Sequence, residues 1–311
     1  MGKNYLVTGA AGFIGSHVVD LVLKRDDVEK IYVIDFLGYG SNVHNLSKDP
    51  RVELIVYNLV NANWRDKVPH IDYIIHLAAE SHVDRSITDP LDFVRSNVIG
   101  TVNVLELARE DNSRMVHVST DEVYGHLGLD DEPFTEDTCL APRSPYSSSK
   151  ASSDLLALSY GTTFGTNVSI TRCCNNYGPR QDDEKLIPTV INKLMANEKV
   201  PVYGDGTNVR EWIHVEDHAK AILEVLDNGE PGEVFNVPGS EEMNNLEIIK
   251  RLVTEIYGPT ADIEDHIEFV KDRAGHDIRY SLRSNKTLKA VEDQRSFNLL
   301  DTVMYFKQKN S

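Results

Sequence analysis

The sequence contains a tyrosine and a lysine whose spacing could form a catalytic base. Tyr146 and Lys150 stand four residues apart in the segment Tyr-Ser-Ser-Ser-Lys. On a helix this spacing places both side chains on one face. A neighbouring ammonium would favour the tyrosinate, so that a phenol with an ordinary pKa of about 10 could act as a base near neutral pH. Because the spacing recurs by chance on many helices, it gains weight only beside other motifs.

A second candidate group is Thr120-Asp121-Glu122, which directly follows the apolar run at residues 115–118. That run is typical of a buried strand, and open α/β folds bind ligands at the carboxyl ends of their strands. Two adjacent carboxyl groups at such an edge could exchange protons with a substrate. The alternative is that they only complement the positive end of a following helix, which stabilises it by about 0.3–1 kcal/mol.

Three glycines indicate a dinucleotide site. Gly9, Gly12 and Gly15 have the spacing Gly-x-x-Gly-x-x-Gly between an apolar run and a helical pattern. This arrangement predicts a tight turn whose free N–H groups receive a pyrophosphate. Asp35 ends the second apolar run, where its carboxylate can accept hydrogen bonds from ribose hydroxyls and would repel a 2′-phosphate. The motif therefore predicts NAD, although Asp35 could alternatively be a turn residue.

The elements that must position these residues alternate between two kinds. Strands are predicted at residues 5–7, 31–34, 52–56, 73–77, 115–118 and 168–170, and helices at 13–24 and 98–109. Repeated strand and helix units predict an α/β fold with a Rossmann-type, doubly wound parallel sheet. After residue 176 the alternation fades into segments rich in Pro and Gly. We predict an NAD-binding domain at 1–175 and a smaller, mainly substrate-binding lobe at 176–311, with segments such as 233–237 returning to the first domain.

Composition narrows the class of ligand and the location. The 311 residues contain 32 Lys and Arg against 49 Asp and Glu, a net charge of −17, which opposes binding to nucleic acid or anionic lipid. No stretch predicts a membrane span or a signal peptide, so we expect a cytoplasmic protein. Cys139, Cys173 and Cys174 are expected to be reduced packing residues, and no spacing predicts a metal site.

Several blocks together resemble the dTDP-glucose 4,6-dehydratase family of extended short-chain dehydrogenases/reductases. Besides Tyr146 with Lys150, the resemblance lies in residues 9–15, 77–86, 120–122, 172–181, 184–188, 210–217 and 272–277, which span nearly the whole chain. It implies that Tyr146, assisted by Thr120, takes the proton of the sugar C4 hydroxyl while hydride passes to NAD. Glu122 would then remove the C5 proton and Asp121 would protonate the leaving C6 hydroxyl. Hydride would finally return to C6 and a proton to C5, which gives the 4-keto-6-deoxy sugar and regenerates NAD.

The resemblance also implies binding residues. NAD would contact Gly9, Gly12, Phe13, Ile14, Gly15, Asp35, Asn58, Leu59, Leu77, Ala78, Ala79, Ser96, Tyr146, Lys150 and Asn176. The nucleotide sugar would contact Ser81, Thr120, Asn175, Lys185, Leu186, Pro201, Val202, Tyr203, Arg210, Asn245, Arg273 and His276. Arg210 and Arg273 would supply the planar cationic donors that suit a diphosphate. His82, His214 and His218 are interpreted as structural residues.

Three positions depart from the family pattern. Asn58 stands where relatives commonly carry Asp, Ala274 where they often carry Pro, and residues 181–183 lack the usual Phe-Pro. An amide oxygen can still accept a bond from adenine, so we expect NAD binding to persist. The other two departures bear on the nucleotide base, which leaves UDP-glucose as an alternative to dTDP-glucose.

Two further alternatives remain open. Another nucleotide-sugar epimerase or decarboxylase of the same family would share most motifs, but a 4-epimerase needs no acid to expel a hydroxyl, which makes Asp121 the most diagnostic residue. A non-catalytic NAD-binding protein would predict a broken catalytic set. The resemblance further implies a homodimer formed through helices at about 98–110 and 146–160. Apolar residues there, Ala151, Leu155, Leu156 and Leu158 among them, could equally belong to the core.

Overall fold

The computed structural model describes residues 2–272 and 277–310. Its strands in chain order are β1 (Lys3–Thr8), β2 (Val28–Asp35), β3 (Val52–Val56), β4 (Tyr73–His76), β5 (Arg114–Thr120), β6 (Val168–Cys173), β7 (Asn175–Tyr177), β8 (Val200–Tyr203), β9 (Val209–His214), β10 (Val234–Val237), β11 (Glu241–Asn244) and β12 (Ile267–Val270). Seven of these form one parallel sheet in the order β10-β6-β5-β4-β1-β2-β3. The strand order reverses direction between β1 and β4, the position at which such sheets open a ligand crevice.

Helices cover both faces of this sheet. The α-helices are α1 (Phe13–Val22), α2 (Val83–Thr88), α3 (Pro90–Phe93), α4 (Gly100–Asp111), α5 (Pro145–Phe164), α6 (Leu186–Met195), α7 (Val215–Asn228), α8 (Asn245–Tyr257), α9 (Lys289–Glu292) and α10 (Leu300–Lys309). Alternate β1 residues face opposite cores: Tyr5 and Val7 pack on the side of α1 and α7, and Leu6 on the side of α4 and α5. The predicted doubly wound α/β fold is confirmed.

The strands and helices extend differently from their predicted bounds. The prediction for β5 stopped at Val118, the last apolar residue, whereas the ladder continues through Ser119 and Thr120, which pair with Arg172 and Cys173 of β6. The helix predicted at 13–24 ends at Val22. The helix predicted at 98–109 begins earlier, as a π-helical turn over Val94–Ile99 that runs into α4. Apolar patterns mark the buried stretch of an element, but backbone hydrogen bonds set its ends.

A second, smaller core lies in the C-terminal part of the chain. Helices α6, α8 and α10 pack around Ile191, Trp212 and Leu252 beside the short sheets β11-β9-β7 and β12-β8. The chain crosses back from this lobe twice: β10 pairs with β6, and the segment after residue 278 bridges to Leu127 and Phe134. The division between residues 175 and 176 stays a prediction. Within the described residues, no helix has the length and apolar character to cross a membrane.

Candidate active site

The turn after β1 can be built only from glycine at two positions. Gly9 has a φ of +70°, and a Cβ added there would lie 2.7 Å from the Cα of Ala78. A Cβ at Gly15 would lie 2.6 Å from the carbonyl oxygen of Gly9. Gly12 is the N-cap of α1 and offers no side chain to its N–H groups. The first turn of α1 therefore presents a bare backbone, which fits the pyrophosphate of a dinucleotide.

Asp35, the last residue of β2, faces this glycine turn. Its Oδ2 accepts the N–H of Ala11 at 3.0 Å, and its Oδ1 accepts the N–H of Leu37 and the hydroxyl of Ser41, both at 2.8 Å. The interpretation of Asp35 as a turn residue thus has structural support. Because a carboxylate has about four acceptor positions, room remains for a ribose hydroxyl. The two roles are compatible in one side chain.

Other residues predicted for the cofactor follow the same edge of the sheet. Asn58 and Leu59 come after β3; Leu77, Ala78 and Ala79 come after β4, beside Gly9. The Oδ1 of Asn58 accepts the N–H of Val60 at 2.9 Å, so part of its acceptor capacity shapes its own turn. Asn176 lies on β7 with its Oδ1 2.9 Å from Nδ1 of His218. Ser96 lies in the π-helical turn.

The paired carboxyl groups lie where β5 ends. Thr120 caps a 3-10 turn over Asp121–Tyr124: its hydroxyl accepts the N–H of Glu122 at 3.3 Å and donates to Oδ1 of Asp121 at 3.1 Å. Asp121 is only 3% exposed, and its Oδ2 is buried without a hydrogen-bond partner. A protonated oxygen suits that position, since an ionised carboxylate there would lose its solvation without compensation.

The acidity of the pair follows from this burial. Burial raises the pKa of Asp121 to about 7, and burial together with the charge of Asp121 raises the pKa of Glu122 to about 7. Two cations oppose the rise: Arg210 lowers the pKa of both carboxyl groups, and Lys185 lowers that of Glu122. The pair therefore titrates as a coupled unit near neutral pH, where it can hold one proton and one negative charge.

The start of α5 fixes the catalytic tyrosine candidate. Ser144 and Ser147 form a capping box around Pro145, so the first turn of the helix is rigid immediately beside Tyr146. Burial, and after it the charge of Glu122, raise the pKa of Tyr146 well above its usual value, while the Thr120 side chain opposes this rise. In this arrangement Tyr146 is a neutral phenol that interacts with the charges of the carboxyl pair.

Lys150 lies one turn further along α5. Its Nζ donates to the carbonyl oxygen of Val118 at 2.7 Å, and burial lowers its pKa to about 8. The pKa of Tyr146 is raised, first by burial and then by Glu122, so the lowering expected from this ammonium is not seen in the structure. Both side chains nonetheless occupy the same helix face, as the spacing predicts.

A buried ion pair that sequence reasoning missed supports this helix. Oδ2 of Asp154 lies 2.9 Å from Nε of Arg172, with the two side chains 0% and 3% exposed. Arg172 also donates to the hydroxyl of Tyr124, and His117 lies 3.3 Å from Asp154. The available signal was the spacing of Asp154, four residues after Lys150, which places it on the inward helix face.

Asn97 is a second missed residue. It lies in the π-helical turn, accepts the N–H of Glu80 at 2.8 Å, and donates both to the carbonyl oxygen of Glu80 at 2.9 Å and to Oγ of Ser149 at 2.9 Å. It thereby joins the loop after β4 to the residue that precedes Lys150. π-Helical turns are rare and are frequent at functional sites, but no periodicity in a sequence predicts one.

The residues predicted for the nucleotide sugar are spread over both lobes. Ser81 is exposed after β4, Asn175 begins β7, Lys185 is the N-cap of α6, Leu186 its first residue, Arg210 lies on β9, and Asn245 begins α8. On β8, Tyr203 is exposed and Pro201 partly exposed, but Val202 packs in the core of the second lobe, which leaves its backbone for any ligand contact. Arg273 and His276 lie outside the described residues.

The histidines interpreted as structural have protein partners. Nε2 of His214 lies 3.0 Å from Oδ2 of Asp301, and its Nδ1 caps α7. His218 pairs with Asn176, and Nε2 of His82 lies 3.2 Å from Oε2 of Glu184. The contact with Asn176 connects this group to a residue predicted to bind the cofactor.

Known proteins resemble this chain over nearly its whole length. Residues 5–238 match the NAD dependent epimerase/dehydratase family. The chain is 45% identical to the dTDP-glucose 4,6-dehydratase of an Actinoplanes species, with 90% of this chain and 89% of the relative covered. It is 46% identical to the low-salt glycan biosynthesis protein Agl12 of Haloferax volcanii, with 91% and 90% covered.

A solved structure shows the same fold. The dTDP-glucose 4,6-dehydratase DesIV of Streptomyces venezuelae, crystallised with NAD and a dTDP ligand, superposes with a TM-score of 0.90 at 41% identity, covering 99% of this chain and 98% of that one. The resemblance predicted from the sequence motifs is confirmed by these similarities.

Proposed function

This chain belongs to the NAD dependent epimerase/dehydratase family, and we propose that it is an NAD-dependent hydro-lyase that converts dTDP-glucose into dTDP-4-keto-6-deoxyglucose and water. The observation that carries the proposal is Asp121, a buried carboxyl group with an unpartnered oxygen beside Glu122. Elimination of water needs an acid at the leaving hydroxyl and a base at the neighbouring carbon. A pair with pKa values of about 7 supplies both at neutral pH.

The cofactor site fits the resident group of this family. The glycine turn leaves the first N–H groups of α1 open to a pyrophosphate, and Asp35 retains acceptor capacity for a ribose hydroxyl. When bound, NAD would supply the hydride acceptor for oxidation at C4 of the sugar and the hydride donor for the later reduction at C6. Phe13, Ile14 and the residues after β3 and β4 would line the remainder of this site.

The side chains around the substrate then divide the proton transfers. As tyrosinate, Tyr146 would take the proton of the C4 hydroxyl with help from Thr120. The positive charges of Lys150 and of bound NAD would have to offset the burial and the Glu122 charge that raise the pKa of Tyr146. A ketone at C4 acidifies the proton at C5, which Glu122 removes. Asp121 donates its proton to the departing C6 hydroxyl. The resemblance assigns the acid to Asp121 and the base to Glu122, and the unpartnered Oδ2 of Asp121, which suits a protonated oxygen, supports that assignment.

The nucleotide diphosphate would lie between the lobes. Lys185 and Arg210 are close enough to the carboxyl pair to lower the pKa of Glu122, so they occupy the approach to the sugar site. Cations at this place offset the unfavourable long-range field of a chain with a net charge of −17. Ser81, Asn175, Leu186 and Asn245, with the residues of β8, would complete the cleft.

We also propose a homodimer, and a cytoplasmic location remains a prediction from the sequence. Four large apolar side chains on neighbouring helical segments are each at least 44% exposed: Ile87 on α2, Leu91 on α3, Ile99 in the π-helical turn and Leu155 on α5. Helices α2 and α3 both contact α5. We propose that a second copy covers these exposed apolar side chains. Leu155→Arg should yield a monomer in light scattering, whereas an unchanged mass would contradict this surface.

The function is tested by product analysis. Purified protein is incubated with dTDP-glucose and separately with UDP-glucose, and the product is followed by mass and by the alkaline absorbance of the 4-keto sugar. Loss of one water from dTDP-glucose is expected, while preferential dehydration of UDP-glucose would change the substrate. Asp121→Asn should stop dehydration, and Tyr146→Phe should stop the oxidation that precedes it. A product of unchanged mass would instead indicate epimerisation.

A further inference from the structure

The guanidinium of Arg210, whose charge acts on the carboxyl pair, is held mainly by backbone oxygens. Its Nη1 donates to the carbonyl oxygen of Val209 at 2.7 Å, and its Nη2 to that of Asp277 at 3.0 Å. A guanidinium has five N–H donors in a fixed plane, so others remain for a ligand. The orientation of that plane decides where the remaining donors and the charge point. The two backbone hydrogen bonds fix one edge of the guanidinium, and a further contact is needed to fix its plane.

The ring of Tyr280 lies against this guanidinium. The Cζ atom of Arg210 is 4.6 Å from the centre of the ring, which is cation–π contact. Tyr280 is buried, and its N–H donates to the carbonyl oxygen of Val209, the same oxygen that accepts from Arg210. The backbone thus sets the distance between ring and guanidinium, and the ring face sets the plane.

Tyr280 is also connected to the first lobe. Its hydroxyl donates to Oδ2 of Asp277, whose Oδ1 accepts from Nη1 of Arg143 at 2.8 Å. Arg143 directly precedes the capping box of α5, and His126 lies 3.4 Å from Asp277 at the same place. This chain of contacts joins the C-terminal segment to the loop that leads into Tyr146.

We propose that Tyr280 is a positioning residue, which acts by holding the Arg210 guanidinium in the plane that directs its charge at Asp121 and Glu122. The ring face performs this task, and the hydroxyl fixes the ring through Asp277 as a lesser contribution. The proposal rests on the proposed function, since it assigns to Arg210 the tuning of the acid and base of the dehydration. Tyr280 itself takes no part in the chemistry.

The electrostatic consequence has a definite sign. Arg210 lowers the pKa of both carboxyl groups, so its displacement raises both values. Lys185, at the N-terminus of α6, also lowers the pKa of Glu122 and stays in place. Other titratable groups also interact electrostatically with the pair. Asp277 raises the pKa of Glu122, and the pair in turn raises the pKa values of Tyr146, Cys173, Cys174, Glu211 and Tyr280.

The test compares Tyr280→Leu with Tyr280→Phe, each as the NAD-bound protein. Leucine removes the ring face, whereas phenylalanine keeps the face and loses only the hydroxyl. For Tyr280→Leu we expect kcat for dTDP-glucose to fall about tenfold and both limbs of the pH profile to move about one unit to higher pH. Tyr280→Phe should keep the wild-type limbs. Equal displacement in the two variants, or fixed limbs in Tyr280→Leu, would overturn the proposal.

A second readout needs no substrate. The infrared absorbance of protonated carboxyl groups is titrated in wild type and in both variants, with Asp121→Asn identifying the band of the pair. A titration midpoint of the carboxyl band that rises only in Tyr280→Leu supports the proposal. This holds even if the wild type does not dehydrate dTDP-glucose, and in that case only the proposed function fails. If Tyr280→Leu does not fold, Arg210→Lys, which keeps charge but loses the planar face, should raise the midpoint; an unchanged midpoint rejects the role.

Discussion

Replacing Asp121 by Asn should stabilise the protein while it stops dehydration. The buried Oδ2 of Asp121 has no partner, and burial raises its pKa from an ordinary 3.8 to about 7. The folded protein therefore holds a proton that the unfolded chain releases between these two pH values. Asparagine has the same shape and never ionises, so it avoids the cost of a buried charge.

The size of the gain follows from the same two values. One pH unit corresponds to about 1.4 kcal/mol, so ionisation of Asp121 lowers the free energy of unfolding by up to about 4 kcal/mol above pH 7. Coupling to Glu122 makes this an upper bound, because the pair shares its protons. The sign is unambiguous: a raised pKa means stability that is present at low pH and lost as pH rises through the folded value. The advantage of Asp121→Asn should thus be small near pH 4 and largest near pH 8.

The assay is urea unfolding of wild type and Asp121→Asn at pH 5 and pH 8, followed by tryptophan fluorescence. Asp130→Asn, at an exposed position of the loop before Phe134, is the matched control and should show no pH-dependent difference. Activity measured alongside should fall by about 10²–10⁴-fold, the usual contribution of a general acid. A stability difference that is the same at both pH values would refute the argument from burial.

Two further predictions concern the backbone and the buried ion pair. Gly9→Ala should lose bound NAD. It should also lower the free energy of unfolding by more than the roughly 1–2 kcal/mol of a left-handed alanine, because the added Cβ would meet the main chain. Gly165→Ala, which has a similar φ but open space around it, should keep NAD, as measured by absorbance of the purified protein. Asp154→Asn should destabilise by about 3–5 kcal/mol in urea unfolding because it leaves Arg172 buried without its counter-charge. Glu132→Gln, at an exposed ion pair, should change stability by less than about 1 kcal/mol; a similar loss in both variants would contradict this reasoning.

Local patterns predicted the parts of the site that one strand and its following turn determine. Gly9 and Asp35 could be assigned because a tight turn and a strand end each have their own residue requirements. Asp121 and Glu122 could be placed at an edge because every parallel strand ends there. In each case the physical constraint acts within a few residues of the motif.

Contacts between distant segments could not be predicted in this way. Arg143 and Asp277 are 134 residues apart, and only the packing of the two lobes brings them together. The burial of Val202 is equally a property of the second core and not of its strand pattern. The direction of the Lys150 ammonium depends on the carbonyl of Val118, which a helix spacing does not reveal.

The return of β10 to the main sheet limits how this protein can be recombined. A chimera that exchanges everything after residue 175 with a relative would also exchange β10 and the segment 279–282 that bridges to Leu127 and Phe134. The exchanged segments would then have to pair with β6 in the correct register and also bind the new ligand. Transfer of substrate preference by recombination should therefore succeed with two separate crossovers that leave Val234–Val237 in place. The strands of the main sheet should be kept together from one parent protein.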